Sequence, residues 1–478
     1  MATIEAPTPR VSPVTSAASS AAAAPPRRWL FKCLVILGLI QLSYLGGGAM
    51  MHFGLPPHQF FRDAYRAEQS VISRWRYDAE NHPSSKDVNT IPDVTVYCPD
   101  PDKTYKGYTL FMSAPENTTA LVDMDGTILH KYRADFNWFF PADDRAHVPV
   151  KNVDDGKVCS FCGYLYPKGE MLLTMHGWGM NTPMNGYGLV KMDKFSNPLW
   201  HYSQNIHHNV EVGEDDKRIY VTRQFFPDKP IEGLEYLPKD VILDELQILE
   251  DKKDHVEAVK KISILAAFAR SPRYSALLAQ LERKVRFGVE VLAEGEQEDV
   301  RRDVMHTNHV EPLPKRLAKQ FPMFKPGQIL ISIRQMDIVA VLDPDKETIV
   351  WAGQGPWHRQ HDSRFLDNGH ILVFDNEGPG NKASRVLEYD PATESVVWEY
   401  SGRNEEQPYY TFERGMNFRF PNGNTFIVDT HEHMLLEVSQ EKKVVWKLRT
   451  PGDVNFARRY PVSYFDESFL EFLKSKRE

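Results

Sequence analysis

The chain predicts an all-β fold, a six-bladed β-propeller with an αα-hairpin insertion, preceded by one N-terminal transmembrane helix. Three observations carry that expectation. First, a two-part phrase recurs from Cys98 to Thr450. One half is a β-run around a turn, as in YLYPKGEMLLTMH, FKPGQILISIR, FLDNGHILVFDN and FRFPNGNTFIVDT. The other is a hairpin with a polar turn and often a terminal Trp, as in GLVKMDKFSNPLWHY, VAVLDPDKETIVWAG and RVLEYDPATESVVWEY. Each pair supplies four short strands with aromatic and β-branched residues at strand positions, which is one blade. Second, histidines recur at one repeat position: His208 lies eight residues before the turn at Asp216, His361 lies eight before the turn at Gly369, and His306 opens the corresponding segment between them. Third, the stretch from Trp29 to Leu55 is nearly free of charge and about as long as one membrane-spanning helix needs to be.

Composition agrees with a large globular body. A propeller can hold most of 478 residues as one closed unit, and 42% hydrophobic and 12% aromatic residues supply a core. The net charge of −8 lacks the basic balance of a nucleic-acid surface, so no nucleic-acid partner is expected. A small anionic substrate remains compatible, because it responds to local charge.

Taken in order, residues 1–28 are rich in Ala, Ser, Thr and Pro and read as a disordered cytoplasmic tail. Residues 29–55 read as a transmembrane signal-anchor, with Arg27, Arg28 and Lys32 on its cytoplasmic side. That orientation places the remaining chain on the periplasmic, extracytoplasmic or luminal side, with the membrane as a partner. A cleaved signal peptide ending near Gly47, Gly48 and Ala49 is the rival reading. Residues 56–94 are a linker. Beyond it, Cys98, Cys159 and Cys162 are expected to be structural thiols or to form a local disulfide, since Cys159-Ser-Phe-Cys162 lacks the surroundings of a redox or zinc motif. Asn117-Thr-Thr is a glycosylation acceptor in a eukaryotic secretory setting.

The propeller domain is expected over 95–460, with blades near 95–133, 158–203, 207–250, 306–354, 359–402 and 412–450 and a C-terminal tail, 461–478; the segment beyond the sixth blade closes or covers the ring. Asp123-Met-Asp125-Gly-Thr127 matches an aspartyl-phosphatase loop. Other blades fill the same place with ordinary hairpin turns, so Asp and Gly here serve the turn's backbone angles. Residues 244–302 break the repeat and are expected to form the αα-hairpin, with Ser271-Pro272 as cap and first helical residue. The hairpin leaves one blade and enters the next on the face where His208 and His306 begin their strands. It is therefore either a surface pack or a lid.

The site follows from counting. Seven residues beyond each turn come His176, Arg223, Arg334, Asn376 and Thr430, which end on the face where neighbouring histidines begin. A ring of imidazoles with guanidiniums suits a tetrahedral oxyanion, because Arg presents a fixed fork of charged donors.

At these residues the chain resembles the arylsulfate sulfotransferase family of six-bladed propellers, from about residue 105 to Tyr460. DVMHTNHV matches the family's D-x-x-H-x-N at Asp303, His306 and Asn308; SIRQMDIVAVLD matches its S-x-R strand at Arg334; GQGPWHRQHDSRFLDNGHILVFDNEG matches its Gln-His element. The resemblance implies nucleotide-independent transfer of a sulfuryl group from an aryl sulfate donor to a phenolic acceptor, with no cofactor and no metal. It implies His361 as the nucleophile that takes the group, with His306, His208 and Arg334 also catalytic. Asn308, His309, Arg223, His176 and Asn376 are the expected substrate-binding residues. His207, His309 and His358 offer shifted alternatives to the matched histidines. Two other classes stay open: a membrane-tethered, non-catalytic propeller that binds partners through its faces, and a His-metal propeller enzyme, which Arg334 opposes by placing positive charge where a cation would sit.

Overall fold

The computed structural model describes Gln41 and residues 95–475, apart from 115–116, 142–143, 146–156, 178–183, 232–233, 275–277, 288, 292–296, 300–301, 379–382, 404–408 and 451. The chain divides into two compact units, Met1–Lys86 and Asp87–Glu478. In the first, Gln41 is helical and exposed; the expected tail, membrane span and linker otherwise lie outside the described residues. No helix among the described residues is long and apolar enough to cross a membrane.

The second unit is a six-bladed propeller. Blades two to six each run outward in chain order, beginning with innermost strands Val158–Leu165, Ile206–Val212, Thr307–Pro312, His361–Phe365 and Met416–Arg419. Blade one takes its innermost strand, Asp453–Tyr460, from the C-terminal side and pairs it antiparallel with Tyr108–Ala114, from Tyr108 opposite Tyr460 to Ala114 opposite Asp453. The six innermost strands touch their neighbours in a closed cycle. This corrects the first blade's expected boundary. Thr95–Tyr97 is a fifth, outermost strand on blade six, opposite Lys447–Arg449. Pairing Thr95–Tyr97 with blade six and Asp453–Tyr460 with blade one closes the ring, at the cost of one very long loop closure.

The insertion is also different from expectation. Leu243–Asp251 and Val256–Ser263 are the third and fourth strands of blade three, and the helices are short, Ile264–Ala269 and Ala279–Phe287. Val256–Ser263 is an outermost strand whose residues alternate between half-buried and exposed, so its charged side chains belong to a period of two rather than a helical period. Ser263 caps the first helix by accepting from Ala266 N–H. Ser271 does not begin a helix; its hydroxyl donates to Ala267 O (2.7 Å) and accepts from Ile349 N–H (2.8 Å). Ile264, Leu265, Phe268 and Leu281 are fully buried in the core shared with blades three and four, so the segment is part of that core.

Elsewhere the repeat behaves as read. The terminal indoles latch blades together: Trp200 donates to Asp251 of blade three (3.1 Å), Trp398 to Gln440 O of blade six (3.2 Å) and Trp446 to Met124 O of blade one (2.9 Å). Asp123 is a turn residue, accepting from the backbone N–H of Asp125 (3.3 Å) and Thr127 (3.1 Å). Cys159 and Cys162 are buried unbonded thiols. The C-terminal segment carries a helix, Glu467–Ser475, which buries Phe469 and Leu473 against the core. Phe469 lies against Gly169, where φ is +84° and a Cβ would meet the Phe469 ring at 2.3 Å, so both the turn and the docking helix demand glycine. Full burial of Phe469 contributes roughly 1.5–3 kcal/mol.

Candidate active site

Five of the six innermost strands lose ladder register at the same level. The shifts fall between Ser160 and Gly163, between His207 and Val210, between Thr307 and His309, between His361 and Arg364, and between Val454 and Phe456. In blade six the equivalent irregularity is Arg414-Gly415, at φ of 62° and 86°. His208, His306 and Asp362 also hold positive φ, at 56°, 55° and 47°. Such backbone is costly for residues with a Cβ and persists where surrounding contacts fix it, commonly at functional sites. Each bulge turns side chains that would lie between blades into the channel. Phe161, Cys162, His208, Asn209, Asn308, His309, His361, Asp362, Arg414 and Asn455 thereby line one small cavity.

The imidazoles converge there. His208 Nε2 is 2.9 Å from His306 Nε2, and the His208 and His361 rings are 5.7 Å apart. His306 Nδ1 is hydrogen-bonded to the Asp303 carboxylate, which fixes its ring and leaves Nε2 toward His208. The backbone N–H of His208 donates to His176 Nε2 (3.0 Å), and His176 stacks on Phe161 at 4.0 Å. Burial, followed by neighbouring imidazoles, holds His207 and His208 well below the usual histidine range. Burial and then Arg414 press His176 down to about 3.

His361 is held in one tautomer. Its Nδ1–H donates to Asn376 Oδ1 (2.7 Å), whose amide is pinned by Thr411 O (2.8 Å) and Arg414 O (2.7 Å). Nε2 accepts from Arg414 N–H (3.2 Å) and so carries the lone pair. Burial, followed by Arg334, lowers His361 to about 3, so it is neutral at physiological pH. Arg334 is itself buried in the turn after its strand, with its backbone N–H on His306 O (3.2 Å). Burial resists ionisation of Glu413, but Arg414 and other cations, Arg334 among them, outweigh it and bring its carboxyl to about 2.

Three residues further along the six strands, Tyr164, Glu211, Glu311, Arg364, Phe418 and Arg458 close the channel. Arg364 reaches Asp362 (2.8 Å), Glu211 (2.8 Å) and Glu311 (3.8 Å) and lies 3.9 Å over the Phe418 ring. Arg458 pairs with Glu211 at 3.7 Å. A charged floor therefore lies beyond the histidines, further along the same strands.

The structure brings together His208, His306, His361, Arg334, Asn308, His309, His176 and Asn376. Asn308 lines the cavity and donates to Gln360 O (2.8 Å); His309 lines it with Nδ1 3.1 Å from Asp362. Arg223 is different: it leans along its own sheet to Glu245 at 3.4 Å, and Thr222 takes the contact with the next blade through Thr307 O (3.5 Å). Thr430 fulfils the counted role by donating to Val454 O (2.9 Å). Sequence reading missed Arg414, whose guanidinium donates to Asn455 (2.8 Å) and Glu413 (2.7 Å). The eight-residue count from the turn at Gly423 lands on Gly415, beside it, and was the available signal.

A family model described as Arylsulfotransferase (ASST) matches residues 166–451, more than half of the chain. No curated protein matches the chain. Among solved structures, a protein of unknown function from Bacteroides caccae is similar at 13% identity and a TM-score of 0.45, covering 74% of this chain and 98% of that one. Virginiamycin B lyase from Staphylococcus aureus is similar at 8% identity and a TM-score of 0.33, covering 60% and 69%.

Proposed function

The chain belongs to the arylsulfotransferase family, and on that premise we propose that it moves a sulfuryl group from an aryl sulfate ester to a phenolic acceptor through a sulfuryl-histidine on His361. The observation that carries this reading is the fixed, neutral imidazole: Asn376 holds the proton on Nδ1, so Nε2 carries the lone pair beside the cavity, and the sulfur takes that lone pair over from the Arg414 N–H. In the first displacement Nε2 forms a bond to sulfur as the sulfur–aryl oxygen bond breaks. The leaving oxygen keeps the bonding pair and takes a proton from His306 Nε2. In the second, the acceptor hydroxyl gives its own proton to His306 Nε2 as its oxygen attacks sulfur, and the nitrogen–sulfur pair returns to His361 Nε2. His306 suits the proton-carrying role better than His208, because the Asp303 carboxylate backs it through Nδ1. A phenol of pKa about 10 is a leaving group that such an acid assists. Arg334, with the Arg414 N–H against Nε2, supplies donors for the sulfuryl oxygens.

Protein quenched during turnover with a chromogenic aryl sulfate and a phenol should carry one added sulfuryl group on the His361 peptide by mass spectrometry. Rapid transfer with no adduct on any histidine would rule out the double displacement. An adduct on His306 or His358 would move the nucleophile.

The pH dependence has a definite sign. An ordinary imidazole would protonate near pH 6.5 and lose its nucleophilic lone pair. His361, lowered to about 3, stays neutral through pH 5. Adduct formation followed in single turnover is therefore expected to hold within a few-fold between pH 8 and pH 5. A tenfold loss over that interval in stable protein would contradict the assignment.

A further inference from the structure

The reaction proposed above uses His306 and His361 and leaves His207 and His208, two further imidazoles of the same cluster, without a chemical step. His207 is 3% exposed, and its Nδ1 is buried with no hydrogen-bond partner among the described residues. Its ring centre lies 4.0 Å from that of His208 and 4.8 Å from that of His306. One ring nitrogen from each of His207, His208 and His306 falls within 4.8 Å of the other two, and the His208–His306 pair is at 2.9 Å. Three imidazole nitrogens at about 2.0–2.1 Å from one ion would be about 3.4 Å from each other in a tetrahedral arrangement, so small movements of these rings suffice.

The surroundings fit a cation as well. Asp303 holds His306 through Nδ1, the carboxylate–histidine arrangement that orients a ligand and raises its basicity. Asp244, buried beside it and anchored by Thr307 N–H (2.6 Å), brings a second carboxylate to the same side. The opposing charges of Arg414 and Arg334 both bear on the Glu413 carboxylate, 2.7 Å from Arg414, and Asp453 lies 3.8 Å from Arg414. His208 lines the channel cavity, which leaves room for a fourth ligand from solvent.

We propose that His207, His208 and His306 form a binding site for a borderline divalent cation such as zinc(II), and that its occupation switches off sulfuryl transfer. An all-imidazole donor set selects zinc, cobalt, nickel and copper over magnesium and calcium. A bound ion engages His306 Nε2, the atom that must give and take the proton. The binding half of this inference stands on geometry; the switching half rests on the function proposed above.

Cobalt(II) titrated into the chelator-treated full chain should give visible ligand-field bands without the near-ultraviolet absorption of a cobalt–thiolate bond, and zinc(II) should displace them. Zinc should inhibit aryl sulfate transfer, and a chelator should restore it. His207→Gln should keep metal-free transfer within a few-fold, lose the cobalt bands and raise the zinc concentration for half inhibition at least tenfold. If that variant does not fold, Asp303→Asn provides a second readout, with cobalt affinity falling about 10–100-fold. Absence of cobalt bands in the wild-type protein, zinc sensitivity unchanged in His207→Gln, or transfer that requires added metal would each overturn the proposal. Cobalt bands in a protein with no transferase activity would instead overturn the function and leave the site standing.

Discussion

Replacing His361 with Asn is expected to abolish transfer while leaving the propeller folded and able to bind an aryl sulfate. The shorter amide lacks a ring nitrogen that can be sulfurylated, so no covalent intermediate forms and the reaction loses both displacements. Removal of a nucleophile that acts as part of a unit costs about 10³-fold or more, equivalent to about 4 kcal/mol or more of transition-state stabilisation. Binding should persist because the anion is held by other groups: Arg334, His306 with Asp303 behind it, and the donors contributed by Asn308 and the Arg414 N–H. The fold should persist because His361 sits at a bulge facing the cavity rather than in the interblade core. Turnover at 1% of wild type or better, in protein carrying no adduct, would show that His361 binds the substrate and does not carry the group. The adduct assay and the binding assay together separate loss of chemistry from loss of the site.

Much of this site was legible because a propeller repeats both its turns and its distances. A fixed count from each turn found His208 and His361, and the next count found Asn376, the partner of His361, and His176, the partner of His208. What counting cannot see is a one-residue slip. The bulges at Phe161-Cys162, His208-Asn209 and Asp362-Ser363 break the two-residue alternation that tells inward from sideways, so Cys162, Asn209 and Asp362 reach the cavity without any sequence signal. Arg223 failed for a related reason, because Glu245 lies directly opposite it on the next strand and offers a closer charge than the channel does.

The ring closure and the blade-three edge were obscured by other causes. Asp453–Tyr460 looks like any strand, and nothing local marks it as the inner strand of a blade whose remainder lies more than 300 residues earlier. Val256–Ser263 is an outermost strand with one wet face, and its Glu and Lys residues read as a solvated helix until the hairpin with Leu243–Asp251 is seen. Both are cases in which tertiary pairing decides what local pattern leaves open.

Arg364→Met is expected to be the most destabilising single change at the channel, by about 3–5 kcal/mol, because it strands carboxylates that the arginine holds inside the protein. Burial alone would press the Arg364 guanidinium down, yet Asp362, Glu211 and Glu311 outweigh it and hold the charge above its ordinary range. These groups come from three different blades, and Phe418 and Arg458 add the sixth and the first. Removing the cation leaves Asp362 with His309 (3.1 Å) and the Asn417 N–H (2.7 Å) but without its guanidinium, and leaves Glu211 with Arg458 at 3.7 Å. The loss should appear as a lower denaturant midpoint and should follow from the uncompensated charge rather than from lost packing. The triple change Arg364→Met, Asp362→Asn, Glu211→Gln tests that distinction, because it removes the stranded charges while keeping the cavity the single change creates. Recovery of at least half the lost stability is expected. A single variant within about 1 kcal/mol of wild type, or a triple variant no better than the single, would mean that the charged floor is incidental to the ring. If the floor does hold the six strands in register, the bulges directly above it are held as well, and His361 keeps its place because Arg364 keeps the channel closed beneath it.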